Sequence, residues 1–266
     1  NTTTKEMTAS IMEAAYGDDY IATLGNLNNH IGVPLSLLRL RSHHQVAVFE
    51  LGMNHPGEIA VLAELCRPTV AVVTNAQREH QEFMHTVEAV AKENGSVFAY
   101  LSDDGTAVYP AATEYTALWD ELSATKKSLH FAINEPSAEL HATAIGHGTK
   151  GASFVLTVHD EVLTVNLQVQ GEHNVSNALA ASGACFAAGL SLEHIQQGLE
   201  NFSAVSGRLQ SYVLENGTQV IDDSYNANPD SVRAAIDVLS ALPQPTVLVL
   251  GDMGELRPEW PQMHRE

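Results

Sequence analysis

Apolar positions along the chain follow two periods. Over residues 3–15, Met7, Ile11, Ala14 and Ala15 are spaced as one face of a helix. Short β-branched runs at 46–51 and 70–74 read as strands, and helical patterns at 58–65 and 86–101 alternate with them. Residues 106–109 and 128–133 continue the strands around a helix near 114–123. Short apolar runs separated by helices mark βαβ units, because a parallel connection must cross back over the sheet.

The texture changes near Ala138. Residues 140–145, 153–158 and 162–169 alternate as an antiparallel meander, with His159-Asp160-Glu161 as the tip between the last two. A long helix is expected over 174–188, Gly189 stops it, and a second helix spans 192–199. A boundary falls near 203–207. The alternation then restarts with strands at 210–215 and 219–221, a helix at 231–242 and a strand at 246–250, with Pro243 and Pro245 at the turn before it. The fold class expected is α/β: a mostly parallel central sheet with flanking helices and a small antiparallel subsheet over 1–205, followed over 206–266 by the start of a Rossmann-like domain. Residues 206–266 are too few for a whole doubly wound domain, so the chain is expected to be the interior of a longer protein.

Composition narrows the function classes. The 266 residues carry a formal charge of −19, against the basic face that a non-specific nucleic-acid binder needs. No apolar run reaches the roughly 20 residues that span a bilayer, so no membrane insertion is expected. Asn1 leads straight into a polar helical segment, and no secretory leader is expected there. The two cysteines, Cys66 and Cys185, sit in apolar helical contexts, which suits a reducing, cytoplasmic compartment rather than a disulfide framework. Anionic small molecules remain possible ligands, since helix N-termini, a few cationic groups and Mg²⁺ can hold phosphates inside an acidic protein.

The candidate chemistry lies in short polar segments. Asn1-Thr2-Thr3-Thr4-Lys5 has the form of the end of a phosphate-binding loop and the helix it feeds, where backbone N–H groups hold phosphates and a hydroxyl ligates Mg²⁺. Glu50 stands at the carboxyl end of a strand, where α/β ligand sites form. Asn174 and Asn177 are three apart on one face of a helix start. Taken in order, Gly25-Asn26-Leu27-Asn28-Asn29-His30-Ile31-Gly32-Val33-Pro34, Glu50-Leu51-Gly52, Asn75 with His80, Gly171-Glu172-His173-Asn174-Val175-Ser176-Asn177-Ala178, Gly207-Arg208 and Asp222-Asp223-Ser224-Tyr225-Asn226-Ala227-Asn228-Pro229 resemble the Mur ligase family. The likeness is to its D-alanyl-D-alanine-adding branch and covers essentially the whole chain.

The resemblance implies a three-domain, ATP-dependent amide ligase of peptidoglycan precursor synthesis. It would join D-alanyl-D-alanine to UDP-N-acetylmuramoyl-tripeptide through an acyl phosphate, as a monomer, with ATP and Mg²⁺. This chain would be the central domain from the phosphate loop onward and the start of the third, and by itself would not turn over. On that reading Thr2, Glu50 and His80 hold metal, with Glu50 and His80 serving catalysis. Thr2, Thr3, Asn174, Asn177, Arg208, Asp223, Tyr225 and Asn228 bind the nucleotide, and Asn26, Asn28 and Asn29 face the UDP-muramyl peptide. Two positions depart from the family pattern: Asn1 stands where the loop lysine is expected, and Asn94 stands where many members carry a carbamylated lysine. A catalytically inactive nucleotide-binding homologue, or another Mur or folylpolyglutamate-type ligase, is the alternative reading.

Overall fold

The computed structural model describes residues 1–78, 81–148 and 151–253. Its elements in chain order are α1 (Thr2–Tyr16), β1 (Tyr20–Ala22), α2 (Gly32–Leu37), β2 (Val46–Val48), α3 (Glu58–Cys66), β3 (Val70–Val72), α4 (Gln81–Met84), α5 (Val87–Gly95), a 3₁₀ turn (Ser96–Tyr100), β4 (Thr106–Pro110), α6 (Thr116–Leu122), β5 (Lys127–Ile133), β6 (Leu140–Gly148), β7 (Gly151–Val158), β8 (Glu161–Asn166), α7 (Glu172–Ala187), α8 (Leu192–Asn201), β9 (Gln210–Val213), β10 (Gln219–Asp222) and α9 (Pro229–Ser240). A six-stranded sheet runs β3-β4-β5-β6-β7-β8. It is parallel from β3 to β6 and antiparallel from β6 to β8. β1 and β2 form a separate parallel pair, and β9 and β10 an antiparallel one.

Period-two burial explains the layering. Along β4, Ala107 and Tyr109 point to one core and Val108 to the other. The first core takes Met7 and Ile11 of α1, Leu179 and Cys185 of α7, and Ile195 and Leu199 of α8. The second takes Ile59 and Ala63 of α3, Val90 of α5, Phe98 of the 3₁₀ turn and Trp119 of α6, so helices cover both faces. The small residues of α7 let it lie close to the sheet: a Cβ on Gly183 would sit 2.7 Å from Val108 Cγ1. Ten residues of that helix are buried, nearly all the way round. No ladder joins β2 to β3 among the described residues; a cavity of about 430 Å³ lies between them, lined by Val46, Val48, Val70 and Val72.

Most predicted elements are present, with shifts. The strand expected at 46–51 pairs only over Val46–Val48, and the helix expected from 174 begins at Glu172. The helix expected over 86–101 is α5 followed by the 3₁₀ turn. β1, α2 and α4 were hidden in polar stretches. The expected strand at 246–250 is not formed: Val247 and Val249 are 80% and 91% exposed, with no neighbouring strand to pair with among the described residues. No described helix is long and apolar enough to cross a membrane.

Candidate functional site

A cleft of about 820 Å³ opens at the carboxyl ends of β1 and β2 and the N-terminus of α1. It is closed on the far side by the segment from Arg208 to Ala235. Twelve of the thirteen residues singled out above line it: Thr2, Thr3, Asn26, Asn28, Asn29, Glu50, Asn174, Asn177, Arg208, Asp223, Tyr225 and Asn228. The thirteenth, His80, lies outside the described residues.

Glu50 is the centre of the arrangement. Its backbone N–H donates to the buried Thr23 hydroxyl at 3.0 Å, which anchors the chain just past β2. Its side chain is 8% exposed. Oε1 accepts from Thr2 Oγ1 at 3.1 Å and from Asn28 Nδ2 at 2.9 Å. Oε2 is buried with no hydrogen-bond partner among the described residues. An orphaned carboxylate oxygen costs about 1–3 kcal/mol, and one beside a hydroxyl at a helix N-terminus is what a divalent cation would satisfy. Among the described residues no three His, Cys, Asp or Glu side chains converge to hold a metal. Mg²⁺ commonly takes one or two carboxylates and completes its shell with substrate phosphates and water, so Glu50 with the Thr2 hydroxyl is a donor set it could use.

The N-terminus of α1 offers unpaired N–H groups to the same space, since Asn1 makes no side-chain cap and the first helical bond runs from Lys5 N to Asn1 O. The Lys5 ammonium is buried away from the cleft, donating to Thr23 O at 2.9 Å and pairing with Glu6. Arg208 reaches in from the opposite wall: its NH2 donates to Thr2 Oγ1 at 3.0 Å, its guanidinium stacks 4.5 Å from the Tyr225 ring centre, and its Nε is buried without a partner among the described residues. Asp223 accepts from Leu209 N at 3.1 Å. Burial lifts its carboxyl above the ordinary Asp value, while the Leu209 N–H and the Arg208 charge pull it down and Asp222 adds to the rise.

On α7, Asn174 Nδ2 donates to Gln170 O, Asn177 Nδ2 donates to Asn174 Oδ1, and Thr4 Oγ1 donates to Asn177 Oδ1. The two asparagines therefore tie α7 to α1 as well as facing the cleft. Burial holds the neighbouring His173 imidazole below its ordinary range. Asn29 turns its carbonyl back to Ile31 N and Gly32 N, opening α2. Asn228 caps α9 through a reciprocal pair with Ser231.

Two functional features escaped sequence reasoning. Arg78 holds Asp230 of α9 with Nε and NH2 at 2.8–3.3 Å and with its backbone N–H at 3.1 Å, across the cleft mouth. Glu93 accepts from Gly57 N and Ile59 N, both at 2.9 Å, and so caps α3 from α5. Neither pair is near in sequence, so no local pattern announces it. Asn94 Nδ2 donates to Asn75 O at 3.2 Å, at the cleft floor.

The Mur ligase middle-domain model matches residues 1–185, and the Mur ligase glutamate-ligase domain model matches residues 207–266. The UDP-N-acetylmuramoyl-tripeptide–D-alanyl-D-alanine ligase of Escherichia coli K12 is 40% identical over 263 residues, 99% of this chain and 58% of that protein. The crystal structure of MurF from Acinetobacter baumannii superposes with a TM-score of 0.94 at 37% identity, covering 99% of this chain and 57% of that one. MurF from Thermotoga maritima, solved in complex with ADP, gives 0.87 at 24% identity over 99% of this chain and 60% of that one, a likeness of fold. The chain spans less than two thirds of the length of each of these relatives.

Proposed function

The chain belongs to the Mur ligase family, and on that premise we propose that the protein carrying it is a cytoplasmic, ATP-dependent amide ligase that joins D-alanyl-D-alanine to UDP-N-acetylmuramoyl-tripeptide. The observation that carries the reading is the buried, unpartnered Glu50 Oε2 beside Thr2 Oγ1 at the N-terminus of α1. Residues 1–205 form the nucleotide-binding unit and 206–266 begin the unit that closes over it.

The division of labour proposed here is supported by the cleft geometry of the described residues and, for His80, by the family pattern alone. The N–H groups of Thr2 and Thr3 and the positive end of α1 hold the nucleotide phosphates. Thr2 and Glu50 hold Mg²⁺, which when bound offsets the negative charge of the phosphates and the reacting carboxylate. His80 serves a second metal. Arg208, braced by Tyr225, brings a fixed positive charge to the same phosphates from the opposite wall. Asn174 and Asn177 set the adenine end, with Asp223 and Asn228 on the closing side. Asn26 and Asn29 border the entry of the UDP-muramyl peptide. The peptide carboxylate oxygen attacks the γ-phosphorus of ATP, ADP leaves, and the dipeptide amine then attacks the acyl phosphate carbon, expelling inorganic phosphate and losing a proton to give the amide.

The test is phosphate release by the full gene product given ATP, Mg²⁺ and UDP-N-acetylmuramoyl-tripeptide, with and without D-alanyl-D-alanine. Release that requires the dipeptide is expected. A folded protein that binds ATP and releases nothing would overturn the reading in favour of an inactive nucleotide-binding homologue, with Asn1 and Asn94 as its cause.

A further inference from the structure

Asn28 lines the cleft, and its side-chain amide is engaged by the protein itself. Its Nδ2 donates to Glu50 Oε1 at 2.9 Å. Its backbone is held at the same time: Asn28 O accepts from Gly52 N at 2.8 Å. The absence of a side chain at position 52 makes the fit possible, because a Cβ there would sit 2.9 Å from both Asn28 Cγ and Nδ2. Glu50 thus has one oxygen pinned from two sides, by Thr2 and Asn28, and the other left buried and unpartnered.

A carboxylate with free rotation about its last bond presents either oxygen to a cation. An amide donor is not interchangeable with a metal, so a group that binds Oε1 by hydrogen bonding commits Oε2 to the cation. We infer that Asn28 is a positioning residue for the metal carboxylate, acting through Glu50, and that Gly52 exists to admit it. This rests on the reading of Glu50 as a Mg²⁺ ligand. Asn28 belongs to the loop 26–29 that borders the peptide substrate's entry, so the clamp also ties the set of that loop to the set of the metal ligand.

The experiment uses the full gene product and Mn²⁺ as a paramagnetic probe, titrated with a non-hydrolysable ATP analogue present, alongside the Mg²⁺ dependence and substrate KM values of the ligase reaction. Asn28→Ala is expected to raise the half-saturating Mn²⁺ and Mg²⁺ at least fivefold, with the KM for UDP-N-acetylmuramoyl-tripeptide changed less than twofold. Gly52→Ala is expected to do the same, and to add nothing in the Asn28→Ala background, since it acts by displacing Asn28. A raised peptide KM with unchanged metal dependence would overturn the inference and make Asn28 a substrate contact. Additive effects of the two substitutions would overturn it as well. Thermal unfolding of each variant separates these outcomes from loss of fold, and Asn28→Ser, which keeps a donor in smaller volume, is expected to recover part of the metal affinity if Asn28→Ala folds poorly. A wild-type protein with no nucleotide-dependent Mn²⁺ site would fail the underlying Glu50 reading, whereas a wild-type site equally strong in Asn28→Ala would fail the positioning role alone.

Discussion

A buried carboxylate oxygen without a partner is a stability cost kept for a ligand. Replacing Glu50 with Gln keeps an acceptor for Thr2 and Asn28 and removes the uncompensated charge. Activity of the full protein is expected to fall about 100-fold or more, the scale of losing one electrostatic group in a preorganised site, while the midpoint of thermal unfolding does not fall. A drop in both would mean that Glu50 is structural. The cysteines give a second test. Burial lifts the Cys66 thiol to about 11 and the fully buried Cys185 thiol higher still. Neither is a thiolate at neutral pH, so both are expected to react with a thiol reagent only after unfolding. At this scale the family resemblance named the residues that gather in the cleft, whereas residue type alone reads Thr2–Thr4 as a helix cap and Glu50 as a strand-end carboxylate. It did not disclose their partners. Asn28 reads from the sequence as facing the UDP-muramyl peptide, and its bond to Glu50, with Gly52 leaving room beside it, is visible only in the structure.

Helix α3 has only nine residues and no local cap, so its N-terminus depends on Glu93. Glu93→Ala strands two backbone donors and is expected to cost about 2–6 kcal/mol in denaturant unfolding, at about 1–3 kcal/mol per stranded group. A cost under 1 kcal/mol would show that water replaces the carboxylate. Gly198 makes a different demand. In isolation Ala gains about 1 kcal/mol over Gly in a helix, but here its Cβ would lie 2.3 Å from Ile11 Cα. Overpacking of about 1–3 kcal/mol or more wins, because neither backbone can yield, and Gly198→Ala is expected to lower stability. The elements legible in advance were those whose pattern is decided locally: the amphipathic helices and the alternating meander. The strand expected at 246–250 shows the limit, since an apolar β-branched run becomes a strand only where another strand offers its edge.

Arg78 and Asp230 join the two family-matched segments at a contact of four donor–acceptor distances between 2.8 and 3.3 Å. Burial pushes the Asp230 carboxyl up, but the hydrogen bonds and charge of Arg78, with Arg233 behind it, outweigh that and hold it below the ordinary 3.8. For a carboxylate with a lowered folded value the stabilisation is full above the ordinary value and is lost as pH falls through the folded one. The contact therefore persists through neutral pH and lapses only in acid below about 3.8. Asp230→Asn is expected to weaken the contact between the segments by about 1.5–3 kcal/mol, the range for hydrogen bonds to a charged group. Small-angle scattering at pH 7 should then give a larger radius of gyration for the variant; identical curves would show that other contacts hold the segments together. The pair is only about a quarter exposed, yet it stands at the mouth, where opening would bring it into contact with solvent ions. At 1 M salt the screening distance shrinks to about 3 Å. On the proposed reading, ionic strength is expected to act as a dial on residence time: dense salt would shorten, and dilute salt prolong, how long the closed molecule keeps a bound ligand.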